Sequence, residues 1–304
     1  QAPILGSYGT GAPYSNGGEV QNKGVEVGLS WNDNIADFRY GVNVNMAYNK
    51  NVVTKIANGE GIIYGPNDVL DQNTGYLFLA QEGYPIGYFY GYKTNGIFQN
   101  AEQVANTEAK VVDAAPGDLI FVDTDKDGDI DSDDRTMLGN PHPDVNLGFG
   151  LNMEYKGFDF SITANGAFGH QIAQSYRPQT NKLYYNYTKQ MMDERWHGEG
   201  TSNTFPRLGN AANFNKVSDI YIQDADYVRI QNITLGYDFK RLWKKSPLKQ
   251  MRLYLSLQNW FTFTGYDGFD PAVGYGGGTD WASGVDLGFY PSAKSFIIGA
   301  NLKF

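Results

Sequence analysis

The chain is 304 residues long, carries a formal net charge of −9, and is 41% hydrophobic with no cysteine. The acidic balance argues against nucleic acid as a partner, and the lack of Cys removes disulfides, thiolate metal sites and cysteine nucleophiles together. With a mean hydropathy of −0.45 and no run of about 18 apolar residues, no segment can cross a bilayer as a helix. What stands out is 22 Tyr, 18 Phe, 5 Trp and 37 Gly. A membrane β-barrel needs apolar residues only at every second strand position, places aromatics where its wall meets the headgroups, and keeps its lumen polar. A soluble Gly-rich β-protein shares part of that profile. The chain opens at Gln1 with no initiator Met, basic n-region or apolar h-region, as expected of a mature or cleaved piece.

Residues 1–18, rich in Gly, Ser, Pro and Asn, read as a loop. In the first strand Val25, Val27, Leu29 and Trp31 alternate with Gly24, Glu26, Gly28 and Ser30. After a polar turn, Asn32 to Asp37, the row Phe38, Tyr40, Val42, Val44, Met46 and Tyr48 alternates with small and polar neighbours and completes a hairpin. A long excursion over 49–143 follows. The hairpin from Asp144 to Gly169 shows the pattern most fully: Leu147, Phe149, Leu151, Met153 and Tyr155 on one arm, Phe158, Phe160, Ile162, Ala164 and Phe168 on the other, joined by Lys156-Gly157. Each arm keeps its alternation for the ~9 to 11 residues that a tilted strand needs to cross a bilayer, longer than the usual strand of about 5 to 6.

A second excursion covers 170–225, with weak helical character between Tyr187 and His197. Tyr227 to Phe239 is strand-like with a phase slip: Val228 and Ile230 keep one register, Ile233, Leu235, Tyr237 and Phe239 the other, which a β-bulge near Gln231-Asn232 explains. A basic turn, Lys240 to Lys249, leads to Leu253, Leu255, Leu257 and the aromatic end Trp260-Phe261-Thr262-Phe263. A third excursion, 265–292, precedes the terminal row Phe296, Ile298, Ala300, Leu302 and Phe304. Seven strands result, and by parity every short turn falls on one side and every long excursion on the other. Outer-membrane barrels divide their connections in this way, with short periplasmic turns and long extracellular loops. The fold class is therefore all-β, an antiparallel transmembrane β-barrel segment of about seven strands.

Asp123-Thr124-Asp125-Lys126-Asp127-Gly128-Asp129-Ile130-Asp131-Ser132-Asp133-Asp134 has the spacing of a calcium loop. Carboxylates at positions 1, 3 and 5 (Asp123, Asp125, Asp127), the carbonyl of Asp129, Asp131 through water and Asp134 at position 12 are the expected ligands of a structural Ca²⁺, with Gly128 making the bend. Asp stands where Glu is usual at position 12, and no helix pair flanks the loop. A solvated acidic turn is the alternative. The aromatic clusters Tyr84 to Tyr92 and Tyr184, Tyr185 and Tyr187 are candidates for stacking on a sugar or peptide, with loop packing as the competing reading. His142, His170 and His197 show no metal spacing, Gly274 to Gly278 lacks the Lys of a phosphate loop, and nothing points to an enzyme.

In several segments the chain resembles the C-terminal third of the SusC/RagA-type TonB-dependent outer-membrane transporters of Bacteroidetes. They are Asn22-Lys23-Gly24-Val25-Glu26, Pro85-Ile86-Gly87-Tyr88-Phe89-Tyr90-Gly91-Tyr92, Pro116-Gly117-Asp118 before the acidic loop, Gly139-Asn140-Pro141, and Tyr155-Lys156-Gly157-Phe158-Asp159. Tyr227 to Tyr237, Gln258 to Thr264, Gly268-Phe269-Asp270-Pro271 and the terminal Phe304 continue the likeness. The resemblance implies a bacterial outer-membrane barrel of about 22 strands that imports glycan or peptide fragments, with a SusD-like surface lipoprotein as lid and TonB as energy source. It implies that the plug and TonB box lie outside this chain, that the remaining barrel strands come from the same protein, and that Phe304 serves membrane assembly. A secreted calcium-binding β-rich adhesin or glycan-binding module is the alternative.

Overall fold

The computed structural model describes residues 17–176 and 186–304. Seven long strands, numbered here β1 (Gly18–Ile35), β2 (Phe38–Ile56), β3 (Val145–Tyr155), β4 (Phe158–Phe168), β5 (Tyr227–Asp238), β6 (Gln250–Thr264) and β7 (Ser295–Lys303), form one antiparallel sheet in chain order. Each strand pairs with its predecessor, so the sheet is an up-and-down meander. The turn between β3 and β4 is Lys156-Gly157, both at positive φ (46° and 92°), the type I′ geometry whose twist matches the flanking strands. Between β1 and β2 the turn is shorter than the polar stretch suggests: the strands run to Ile35 and Phe38, leaving Ala36 and Asp37 alone.

Register turns the alternation of each strand into two continuous faces. One row across all seven strands reads Trp31, Val42, Leu151, Ile162, Ile233, Leu257 and Phe296. The neighbouring row on the other face reads Ser30, Asn43, Gly150, Thr163, Asn232, Gln258 and Ser295. A one-residue slip anywhere would mix them. Leu29, Trp31 and Ile298 are 66%, 63% and 76% exposed on the apolar face, an arrangement that lipid accepts and water does not. At the short-turn end this face ends in rings: Phe38 lies 6.4 Å from Tyr155, and Phe158 4.4 Å from Tyr237, forming a belt of the kind found where barrel walls meet headgroups. At 11 residues each, β3 and β4 extend about 34 Å, which a barrel's tilt reduces to roughly the 25 Å apolar band.

The bulge lies where the phase slip put it. Thr163 pairs with Asn232 and Ala164 with Ile230, so Gln231 is the extra residue against β4. On the other side Ile230 faces Phe261 and Asn232 faces Gln258, so β6 answers Gln231 with both Asn259 and Trp260, and Asn259 takes a positive φ of 55°.

The three excursions fold together at one end of the sheet. Val69, Leu70, Leu77, Phe78 and Phe89 from the first, Ala173, Val217 and Tyr221 from the second, and Ala282 and Val285 from the third share one buried core. Small sheets knit it: 222–224, 171–174 and 285–286 in one, and 62–64, 78–81, 88–91 and 136–139 in another. The first excursion begins at 57 rather than 49, because β2 runs on to Ile56. There Val53 and Ile56 pack on Ala80, the Val53 amide donates to the Tyr84 carbonyl (2.9 Å), and the Ile56 amide to Glu82 (2.8 Å). The extra residues of strand thus seat the loop body on the wall.

Candidate functional site

The acidic loop sits in that body between the strands Leu119–Phe121 and Thr136–Gly139. Ile130 anchors it by packing against a core of Tyr92, Ile97, Leu119 and Phe121. Lys126 and Gly128 take positive φ (66° and 97°), bending the chain where the calcium-loop spacing calls for it. Carboxylate oxygens of Asp123, Asp125 and Asp134 come within 4.8 Å of one another, a separation that two oxygens each about 2.3–2.6 Å from one calcium ion can span. The buried Asp134 carboxylate accepts from the Thr124 amide (2.5 Å) and the Asp131 amide (2.9 Å). Asp123 accepts from the amides of Lys126 (2.6 Å) and Gly128 (3.0 Å). Asp127 and Asp131 turn oxygens to the amides of Asp129 (2.9 Å) and Asp133 (2.8 Å). Of the sequence-designated ligands the structure therefore brings Asp123, Asp125 and Asp134 together, with Asp127, Asp129 and Asp131 in the same loop outside that trio. Local desolvation and the like charges of Asp127, Asp134 and Asp123 hold the Asp125 carboxyl above its ordinary range. Asp125 is exposed, so crowding of like charge is the physically effective cause, and a divalent cation relieves it.

Next to Asp134, Arg135 ties the loop to the aromatic segment. Its Nη2 donates to the carbonyls of Tyr76 (2.5 Å) and Tyr90 (3.2 Å), and its guanidinium lies 4.4 Å from the Tyr90 ring centre. The Tyr84 to Tyr92 cluster is mostly packing: Tyr88 and Tyr92 are buried, Tyr84 stacks on Tyr88 at 4.9 Å, and burial pushes the hydroxyls of Tyr88, Tyr90 and Tyr92 above their ordinary range. Tyr187 packs partly buried against Met191, Phe205 and Phe214 beside the short helix Lys189–Glu194. Tyr184 and Tyr185 lie outside the described residues. Phe304 is 80% exposed at the end of the apolar face.

Two polar junctions escaped the sequence reading. Asp118, fully buried, takes both Nε (2.7 Å) and Nη2 (3.1 Å) of Arg207 and the side-chain amides of Asn210 (2.9 Å) and Asn213 (3.0 Å). Burial alone would raise its pKa, but the bonds from Arg207, Asn213, the Ala115 amide and Asn210 outweigh it and hold the carboxyl below the usual range. Arg229 of β5 joins Thr262 (3.1 Å), Ser292 (3.3 Å) and Asp270 (2.5 Å), while Asp270 also accepts from the Ser292 hydroxyl (2.9 Å). The third excursion is thus closed at its base and pinned to the wall. An Asp-Pro in a Gly-rich loop and an Arg inside a strand were the available signals; their partners, far apart in sequence, were not legible.

No protein-family profile matches the chain. Among curated proteins, TonB-dependent receptor P3 of Formosa agariphila is 32% identical over 310 residues, covering 99% of this chain and 30% of that receptor. TonB-dependent receptor SusC of Bacteroides thetaiotaomicron is 29% identical over 302 residues, 95% of this chain and 27% of SusC. Among solved structures, the RagAB peptide transporter superposes with a TM-score of 0.75 at 21% identity, over 100% of this chain and 31% of that one. The RagAB importer in its open-open state gives 0.73 at 22% identity. These likenesses carry the fold, a seven-strand section of an outer-membrane barrel, and the chain spans about 30% of the length of the receptors it matches. With the alternating wall, the sorted connections and relatives along nearly its whole length, this chain is similar to a C-terminal portion of the TonB-dependent outer-membrane receptors, SusC among them, and has the fold of the corresponding part of RagAB.

Proposed function

We propose that this chain forms part of the wall and the outer mouth of an active importer of oligosaccharide or peptide fragments. Such an importer draws energy from TonB through a plug outside this sequence and works with a SusD-like surface lipoprotein. The observation that carries the reading is the union, in one chain, of a sheet with one continuous, predominantly apolar face and three loops sharing one core above it. That architecture suits a pore wall with a preassembled entrance. RagAB, which shares the fold, is described as a peptide importer, and the SusC likeness is at higher sequence identity, so both substrate classes belong in the test. A secreted adhesin would leave Leu29, Trp31 and Ile298 in water, a cost of roughly 25 cal/mol for each Å² of apolar area. In cells expressing the whole receptor, labelled oligosaccharides and oligopeptides are offered with and without a proton uncoupler, and the receptor is purified to see which lipoprotein accompanies it. Energy-dependent uptake of one class supports the reading. Uptake of neither above a receptor-deleted strain overturns it.

In this reading the acidic loop holds a structural Ca²⁺, with Asp123, Asp125 and Asp134 as its nearest carboxylates and Asp127, the Asp129 carbonyl and Asp131 completing the shell. The ion supplies cross-linking of the loop and no chemistry. Calcium titration of the wild type, Asp125→Ala and Asp127→Ala, with protease nicking near Gly128 as a second readout, tests it. Weaker binding and faster nicking in the variants are expected; equal behaviour of all three is incompatible with the assignment.

A further inference from the structure

We propose that the turn joining β5 to β6 is a docking site for anionic phospholipid headgroups in the leaflet on the short-turn side. In a chain of net charge −9 this one turn carries Lys240, Arg241, Lys244, Lys245 and Lys249. The acid beside it is already engaged: Asp238 Oδ1 accepts from the amides of Lys240 (3.0 Å) and Met251 (3.3 Å). Two large apolar side chains stand out among the cations, Leu242 at 71% and Trp243 at 54% exposed. The turn is built to hold them there. Residues 239–241 form a 3-10 turn whose Phe239 carbonyl accepts from the amides of both Leu242 (3.0 Å) and Trp243 (2.9 Å). The Ser246 amide closes back on the Trp243 carbonyl (3.0 Å), and Lys240 Nζ donates to the carbonyls of Ser246 (2.7 Å) and Lys244 (3.2 Å).

Three observations make lipid the occupant. First, the turn continues the apolar face: the Phe239 ring lies 5.0 Å from Tyr237, a member of the aromatic belt. Second, its neighbours add positive charge. The Arg241 side chain lies over Gly157, where a Cβ would come within 2.9 Å of its Cδ, bringing the Lys156 turn alongside, and the Lys249 amide bonds the Lys303 carbonyl (2.6 Å). Third, a Trp flanked by cations at the edge of an apolar band satisfies both halves of the interface at once. The indole sits at headgroup depth and the cations meet the phosphates. By contrast, the β1–β2 hairpin end carries Asp33 near the end of β1 and Asp37 in the turn, and Arg39 at the start of β2 lies 3.7 Å from Glu154. The preference is therefore local to one part of the rim. This inference rests on the outward face being in lipid and is otherwise independent of what the receptor imports.

The test places the intact receptor in nanodiscs of equal parts phosphatidylglycerol and phosphatidylcholine, with bromine on the acyl chains of one lipid at a time. Quenching assigned to Trp243 is obtained by difference from Trp243→Phe. Brominated phosphatidylglycerol is expected to quench at least twofold more than brominated phosphatidylcholine. The ratio is expected to fall to one in Arg241→Gln/Lys244→Gln/Lys245→Gln, and to fall in the wild type at about 0.5 M salt, where the Debye length shrinks to a few Å. Asp37→Asn should leave the ratio unchanged. The salt series needs no variant, so a triple variant that fails to assemble does not protect the idea. Equal quenching by the two lipids, a ratio indifferent to salt, or a photo-crosslinker at position 242 that captures a periplasmic protein instead of lipid overturns the proposal. Quenching by neither lipid would instead refute the membrane-facing wall itself.

Discussion

At the residue scale the loop body depends on one buried carboxylate. Asp118 and Arg207 lie 89 residues apart in sequence, and their pair, with Asn210 and Asn213, joins the first excursion to the second. Removing one partner of such a cluster strands the other's donors, and Arg207 keeps about a third of its side chain in water, which offsets part of the loss. Asp118→Ala is therefore expected to destabilise the body by about 2 kcal/mol, less than breaking a fully buried charge pair because Arg207 stays partly hydrated. The folded carboxyl titrates below its ordinary value of 3.8. Its contribution is thus complete above that value and is lost as the pH falls through the lower, folded one. Protection from protease measured in both proteins should differ at neutral pH and converge under acid. A gap that persists unchanged once the pH has fallen through the folded carboxyl's lowered value would show that the charge is not what holds the junction.

The strands show why glycine recurs on the polar face. Asp159 on β4 and Arg252 on β6 form an ion pair across the intervening β5. They meet directly above Gly236, where a Cβ would stand 2.4 Å from Asp159 Oδ1 and 2.6 Å from Arg252 Nε. Gly150, on the same face, is different: the nearest atoms to a Cβ there are side-chain atoms of Asn43 at 3.7 and 3.8 Å, ordinary contact. Gly236→Ala should accordingly lower the temperature at which the assembled receptor loses its folded band in heat-modifiability gels, and Gly150→Ala should leave it in place. Equal shifts in the two variants would mean that the ion pair does not brace the wall.

For the whole molecule the open edges matter most. Among the described residues β1 pairs with β2 alone and β7 with β6 alone, so one side of each outer strand has no neighbour. Unpaired backbone groups in hydrocarbon cost several kcal/mol each, and a wall of this kind needs strands on both flanks. The 304 residues expressed alone are expected to require detergent or to aggregate, and to become protease-resistant only with the rest of the receptor. A closed, detergent-free monomer would contradict the barrel reading. Phe304 continues the apolar face past Leu302. Its deletion should reduce the amount of receptor assembled while leaving uptake per assembled receptor near the wild-type value.

What the amino-acid order determined by itself is the part of the fold governed by local period. Successive strand side chains point to opposite faces, so alternation alone located the seven strands, their apolar face, the Lys156-Gly157 turn and the bulge near Gln231. Short-range spacing likewise gathered Asp123, Asp125 and Asp134 around the bend at Gly128. Tertiary structure decided the rest. On β6 the two residues opposite Gln231 restore parity, so its irregularity left no trace in the pattern. The excursions have no period, so nothing local told that Phe78, Val217 and Ala282 share a core, or that Tyr187 packs against Phe214. Nor could it pair Asp118 with Arg207, or Arg229 with Asp270. Those contacts join residues tens of positions apart through shape and hydrogen-bond complementarity, which exists only once the wall has brought the loops to one end.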